Sequence, residues 1–165
     1  MFELKKLTPQ GVARALGKVE RYRLLNEPEE AESICRDVLD ADPTNQEALV
    51  DLLLSLTDQL ANEVQGALAE AQAIVPRLDG EYARAYYAGV ICERRGSALL
   101  RRGMAGSGPV AYDWYRQAMA HYEKAQELRP AGNDDPLVRW NTCVRIIGRH
   151  RLKPAPESRQ PTFLE

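Results

Sequence analysis

The chain has 165 residues, of which 28% are charged and 44% are hydrophobic; this balance excludes an intrinsically disordered protein and is ordinary for a globular one. No run approaches the roughly 20 apolar residues that a membrane-spanning helix needs. The opening MFELKKLTPQGV lacks the apolar stretch and cleavage site of a secretion signal. We therefore expect one main domain with its own core, located in the cytoplasm and not in a membrane.

The net charge of −2 conceals an uneven distribution along the chain. Residues 1–26 carry six basic and two acidic side chains, residues 27–70 carry one basic and twelve acidic ones, and residues 71–165 carry fifteen basic and ten acidic ones. An acidic middle between basic ends can attract a charged partner, or it can let one copy of the chain dock on another. Ordinary solvated helix faces would give the same distribution.

Residue types that carry catalytic or metal chemistry are sparse and widely separated. Cys35, Cys92 and Cys143 each fall within a helical pattern, and three distant cysteines suit neither a disulfide framework nor a zinc site. His121 and His150 have no cysteine or carboxylate at a spacing typical of a catalytic site. We expect buried, reduced thiols, no metal, no cofactor and no enzymatic activity.

Apolar residues at three- and four-residue steps predict helices throughout, and no segment shows the alternation typical of a strand. The first helix runs from Pro9 to about Leu25, with Thr8 as its cap. The second begins near Pro28 and ends at Pro43, because proline disfavours helical geometry in the residue before it. The chain therefore folds back abruptly and begins again.

A capping box of Thr44 and Glu47 is predicted to start the third helix, which carries a run of leucines within residues 49–60. After a weak break, a fourth helix starts with Val64 and ends at Pro76. The elements that follow are a fifth helix from Glu81 to about Arg102, a glycine-rich loop from Gly103 to Pro109, a sixth helix from Val110 to Leu128 and a seventh from Asp135. The buried side of the seventh helix is predicted to carry Leu137, Trp140, Val144 and Ile147. We divide the chain into a helical domain, residues 1–152, and a flexible proline-rich tail, residues 153–165.

The order of large and small residues repeats near both ends of the helical domain. A first unit contains Tyr22, Ala31, Cys35, Val38 and Pro43, and the same spacing recurs in Ala118, Tyr122, Ala125 and Pro130. On these residues the chain resembles the tetratricopeptide repeat (TPR), and ARAYYAGVICERR with DDPLVRWNTCVRII is similar to bacterial repeat proteins of unassigned function. The resemblance implies an all-α, right-handed superhelix of antiparallel helix pairs, with about three hairpins and a C-terminal helix.

Two units depart from the 34-residue repeat. The second helix of the middle unit aligns in two ways, one with Pro76 as terminator and one with an insertion near Asn62. The third unit, from Ala83 to Pro130, spans 48 residues. We attribute its excess to longer helices joined by the glycine-rich turn.

In such repeats the first helix of each pair lines a concave groove. In the fifth helix a set of residues not used for packing recurs at three to four residues and shares one face, which we predict to line this groove: Arg84, Tyr87, Ile91 and Arg94 or Arg95. The last helix offers Arg139 and Arg145 in the same relative places. Arginine pairs with carboxylates through two parallel hydrogen bonds, so this set suits an extended acidic peptide with an apolar anchor. The alternative is that these arginines are solvated or form ion pairs along their own helix.

Glu93 is predicted to lie on a buried face, where a carboxylate needs a partner; Arg139 or Arg116 could supply it as a structural ion pair. The tail residues Phe163 and Leu164 could occupy a groove of their own chain or of a neighbouring copy, although most such tails are mobile. The sequence therefore predicts a non-catalytic adaptor that binds a protein segment. A self-associating scaffold, such as a homodimer, is the alternative, and the acidic segment disfavours a nucleic-acid-binding module.

Overall fold

The chain forms seven α-helices and no strand over residues 2–62 and 64–156, the part that the computed structural model describes. The helices are α1 (Val12–Leu24), α2 (Pro28–Ala41), α3 (Gln46–Asp58), α4 (Ala67–Ile74), α5 (Glu81–Arg102), α6 (Ser107–Leu128) and α7 (Asp135–Arg149). Short 3-10 turns occupy Pro9–Gly11, Leu60–Asn62 and Val75–Arg77. The all-α prediction is confirmed, and the fifth helix has the predicted bounds.

Each helix packs against the next along the chain, and α3 also contacts both α1 and α5. Contacts between consecutive helices, together with contacts between helices two positions apart, are typical of helical hairpins that cover each other's apolar faces. The helices α5 and α6 form the longest hairpin, with 22 residues each. The excess length of the third unit is therefore helical, as predicted.

The core divides into two large clusters that meet at α5. The first contains the leucines of α3, among them Leu53 and Leu56, together with small residues of α2 and α4. The second lies between α5, α6 and α7 around Tyr115 and Tyr122, which are both fully buried. The partly buried side chain of Tyr87 packs against both clusters. This shared packing fixes α5 between the two halves of the structure.

The start of α3 differs from the prediction. Asn45, not Thr44, caps the helix, because the side-chain oxygen of Asn45 accepts a hydrogen bond from the backbone N–H of Ala48 at 2.9 Å. The Thr44 hydroxyl lies 3.3 Å from an oxygen of Asp42. The capping box of Thr44 and Glu47 is therefore wrong by one residue, and Asn45 is an equally good capping residue.

Three further predictions about helix bounds and faces are wrong. The sixth helix was predicted to begin at Val110, after a loop that ends at Pro109, but α6 begins at Ser107. Pro109 is tolerated in its first turn, because a backbone N–H there would have no partner within the helix. Val64 lies outside α4, which begins at Ala67 after a glycine with φ of +84°. Val144 is 42% exposed, not buried, because it lies on the outer side of the last helix.

No helix among the described residues combines the length and the apolar character that crossing a bilayer requires. After α7, Leu152 is partly buried against the second cluster, and residues 153–156 have no regular secondary structure. The predicted contact of Phe163 and Leu164 with a groove falls in residues 157–165, outside the described residues.

Candidate functional site

A cleft of about 490 Å³ lies between the end of α1, the end of α3 and the C-terminal half of α5, and one arginine of α7 reaches it. Its charged lining consists of four arginines, Arg23, Arg94, Arg101 and Arg139, and three carboxylates, Glu20, Asp58 and Glu93. These residues come from every odd-numbered helix. We call this site the arginine cleft.

Asp58, the last residue of α3, holds two of the arginines together. One carboxylate oxygen accepts a hydrogen bond from Nε of Arg23 at 2.8 Å, and the other accepts one from Nη1 of Arg94. Asp58 thus connects α1, α3 and α5 through side chains that are only partly exposed. Within residues 2–62 and 64–156 each guanidinium donates through a single nitrogen, to this carboxylate, so its other N–H groups can bind a second oxyanion.

Glu93 fixes the third arginine. The residue is 5% exposed, and its two carboxylate oxygens accept hydrogen bonds from the Tyr122 hydroxyl at 2.6 Å and from Nη1 of Arg139 at 3.2 Å. The predicted ion pair between Glu93 and Arg139 is confirmed, whereas Arg116 lies near the sulfur of Met119. Burial lowers the pKa of Arg139, but the Glu93 carboxylate opposes this effect, and the net pKa is raised.

Positive charge in the cleft exceeds what its carboxylates neutralise. Burial, together with repulsion from Arg23, Arg139 and Arg101, lowers the pKa of Arg94 to about 10. Arg101 is exposed and forms no ion pair within residues 2–62 and 64–156. An anion that entered the cleft would relieve this repulsion. The arrangement is therefore suited to bind an acidic group.

No protein-family model, curated protein or solved structure matches this chain. Its function is therefore inferred from the geometry of the site.

Only some of the predicted groove residues meet in the arginine cleft. Arg94 and Arg139 line it. Arg84 instead donates a hydrogen bond to the backbone carbonyl of Leu78 at 2.8 Å, which ties the start of α5 to the preceding loop. Arg145 is exposed on α7 and does not line the cleft.

The other predicted groove residues also lie outside the arginine cleft. Ile91 is 1% exposed and belongs to the first core cluster. The prediction that Ile91 lines a surface groove is therefore wrong, because its side chain is buried in the interior. Tyr87 packs between the two clusters. Arg95 lines a different depression, together with Leu60 and Leu68. Of the predicted groove residues, only Arg94 and Arg139 therefore line the arginine cleft, to which α1, α2, α3, α5 and α7 all contribute.

Sequence reasoning did not assign four charged residues of the cleft, Glu20, Arg23, Asp58 and Arg101, to the binding groove. Arg23 and Asp58 are 35 positions apart and meet only through tertiary packing, so no local pattern indicates their contact. Arg101 lies seven positions after Arg94, and residues with this separation share a helix face. If the predicted face of α5 had been continued for two helical turns beyond Arg94, it would have included Arg101 as a candidate binding residue.

The cysteines and His121 lack the environment of catalytic groups. Burial raises the pKa of Cys35 to about 12, of Cys92 to about 11 and of Cys143 to about 12. The three thiols therefore remain protonated at neutral pH, whereas a nucleophilic cysteine needs a depressed pKa. Burial and the nearby Lys124 lower the pKa of His121. These environments fit the predicted role of the thiols as buried apolar groups.

Proposed function

We propose that the protein is a non-catalytic adaptor that binds an acidic segment of a partner protein in the arginine cleft. The observation that carries this proposal is the excess of guanidinium groups over carboxylates among the charged side chains of the cleft. Arginine is the preferred residue for binding carboxylates at interfaces, because its planar donor groups match the two oxygens. The cleft volume of about 490 Å³ accommodates a few side chains, so the partner contributes an extended segment or a loop.

The helix order supports a TPR-like arrangement as part of this proposal. The contacts of α3 with α1 and α5, and the convergence of the odd-numbered helices on one cleft, are what a superhelix with a concave inner face requires. In that arrangement the arginine cleft lies on the concave side. The three unpaired cysteines are compatible with a reducing compartment such as the cytoplasm.

Selection of short random peptides displayed on phage, with the purified protein as bait, tests the proposal. We expect the selected peptides to be rich in Asp and Glu. Arg101→Glu should weaken their binding by about tenfold or more, since it converts an attraction into a repulsion. The matched control is Arg145→Glu, which changes an exposed arginine outside the cleft and should leave binding unchanged. Selected peptides without acidic residues, or equal effects of the two substitutions, would contradict the proposal.

Self-association is the second candidate function, and the outer side of α7 favours it. Val138 is 61% exposed and Val144 is 42% exposed on this terminal helix, and exposed apolar residues often mark an interface. A second copy could cover them in a homodimer, with its acidic segment near the basic end of the chain. The molecular mass in solution, measured by sedimentation at low and high salt, would reveal a dimer. A monomer at both salt concentrations would exclude this candidate.

Nucleic acid is the least favoured partner. Residues 27–70 carry twelve acidic side chains and one basic one, and this acidic segment would repel a phosphate backbone. A steep loss of binding with added salt would indicate phosphate contacts, whereas a protein ligand with apolar contacts should lose only part of its affinity.

A further inference from the structure

Two consecutive leucines at the end of α1 are exposed although their backbone is fixed. Leu24 is 80% exposed and Leu25 is 61% exposed. The backbone N–H of Leu25 donates to the carbonyl of Arg21 at 3.0 Å, and that of Glu27 donates to the carbonyl of Tyr22 at 2.9 Å. Both leucines are therefore presented to solvent by an ordered helix end.

The first of these leucines belongs to the arginine cleft. Leu24 lines it together with Pro28, Ala61 and Ala98, which form its apolar part. Leu24 directly follows Arg23, whose guanidinium is bound to Asp58. An apolar surface and a positive surface therefore adjoin within one cleft. Leu25, the next residue along the chain, is exposed but is not among the residues that line the cleft.

This combination specifies the ligand more closely than charge alone. Arginines attract an acidic group and fix its orientation, while buried apolar area supplies affinity that salt does not screen. An extended chain rises about 3.3 Å per residue, so an acidic side chain near Arg23 and Arg94 leaves a neighbouring side chain close to Leu24. The exposed leucines provide that neighbouring side chain with an apolar contact.

We infer that the partner segment carries a large apolar side chain within about two residues of its acidic group, and that this side chain packs on Leu24 and Leu25. The inference rests on the proposed function, because it names the second half of the same ligand. The cleft then recognises an acidic residue and an apolar residue as one unit. Neither contact alone suffices for strong binding, since a single exposed ion pair contributes little.

The phage selection described above tests the inference when its peptides are analysed for apolar residues. We expect the selected peptides to contain Leu, Ile, Phe, Met or Trp next to, or one residue from, an Asp or Glu. Replacing that apolar residue by Ser should weaken binding to the wild-type protein by about tenfold, which corresponds to burying most of one large apolar side chain.

A double variant, Leu24→Ser with Leu25→Ser, identifies the protein surface that makes this contact. It should weaken binding of the apolar-containing peptides by about tenfold and leave the Ser-substituted peptides unaffected, because they have no apolar side chain to lose. The matched control, Val138→Ser with Val144→Ser, removes two exposed apolar side chains of α7 and should have no effect. The circular dichroism of both variants should equal that of the wild type, since the substituted side chains are exposed.

The possible results separate the inference from the proposed function. Acidic peptides selected without a nearby apolar residue, or an equal effect of the leucine variant on both peptide sets, would overturn the inference and leave the proposed function intact. Selection of peptides without acidic residues would contradict both. A wild-type dimer that the leucine variant converts to a monomer would show that a second copy covers the leucines, which would also overturn the inference.

Discussion

Gly89 on α5 is the position where the structure predicts the largest effect of adding one methyl group. A Cβ atom built on Gly89 would lie 2.6 Å from Cε1 and 2.8 Å from Cδ1 of Tyr122. Carbon atoms pack at about 3.5–4.0 Å, so the ring would have to move by about 1 Å. Tyr122 is fully buried and its hydroxyl donates to Glu93 at 2.6 Å, so this movement would break the hydrogen bond.

The cost of Gly89→Ala follows from these two changes. Overpacking a buried site costs about 1–3 kcal/mol, and losing a hydrogen bond to a charged group costs about 1.5–3 kcal/mol. The better helix propensity of alanine returns about 1 kcal/mol. We therefore expect the free energy of unfolding to fall by about 1.5–5 kcal/mol and Tm to fall by about 3–20 °C.

Urea denaturation followed by circular dichroism measures this change, and Gly17→Ala is the matched control. Gly17 lies within α1, and an added Cβ there meets no atom within 4 Å. The control should therefore raise the free energy of unfolding by about 0.5–1 kcal/mol through helix propensity alone. Equal stability of the two variants would refute the close contact between α5 and α6 and, with it, the anchoring of Arg139 through Glu93.

Three further predictions concern groups near the cleft and the start of α3. Burial raises the pKa of Asp51 from 3.8 to about 6. Between these two pH values the folded state binds a proton that the unfolded state has lost, so the free energy of unfolding falls as the pH rises from 3.8 to about 6. Asp51→Asn should remove this fall and stabilise the protein at pH 7 by about 1–2 kcal/mol, allowing for solvent screening; unchanged urea curves at pH 7 would count against it. Glu93→Gln leaves Arg139 without a counter-charge and should cost about 2–4 kcal/mol in the same assay, whereas a neutral effect would show that their pairing is unimportant. Asn45→Ala should lower the free energy of unfolding by about 1 kcal/mol, and Thr44→Ala should lower it much less. A larger effect of Thr44→Ala would show that Thr44, not Asn45, caps α3.

Local signals explain why most helix bounds were predictable. Pro28 begins α2, and glycine and acidic residues at the turn before Glu81 mark the start of α5. These signals act within a few residues, so the sequence alone contains them. The errors were also local. Ser107 to Pro109 joined α6 because proline is tolerated in a first helical turn, where its missing N–H has no partner to lose.

The site was less predictable because it depends on distant contacts. Periodicity placed Arg94 on the correct face, but it also placed Ile91 there, which is buried against the first core cluster. A period of 3.6 residues describes which residues share a face and does not describe where the next helix covers that face. The contacts of Asp58 with Arg23 and Arg94 span 35 and 36 positions and follow from how three helices pack.

The central claim is that the arginine cleft binds an acidic segment, and NMR of arginine side chains tests it most directly. A selected acidic peptide, or a poly-aspartate peptide if the selection yields none, is titrated into the isotopically labelled protein. We expect the Nε–Hε resonances of Arg23, Arg94 and Arg101 to shift together along one binding curve, while that of Arg145 remains in place. Shifts confined to Arg145 and its neighbours on α7, or no shift of the three cleft arginines, would contradict the account.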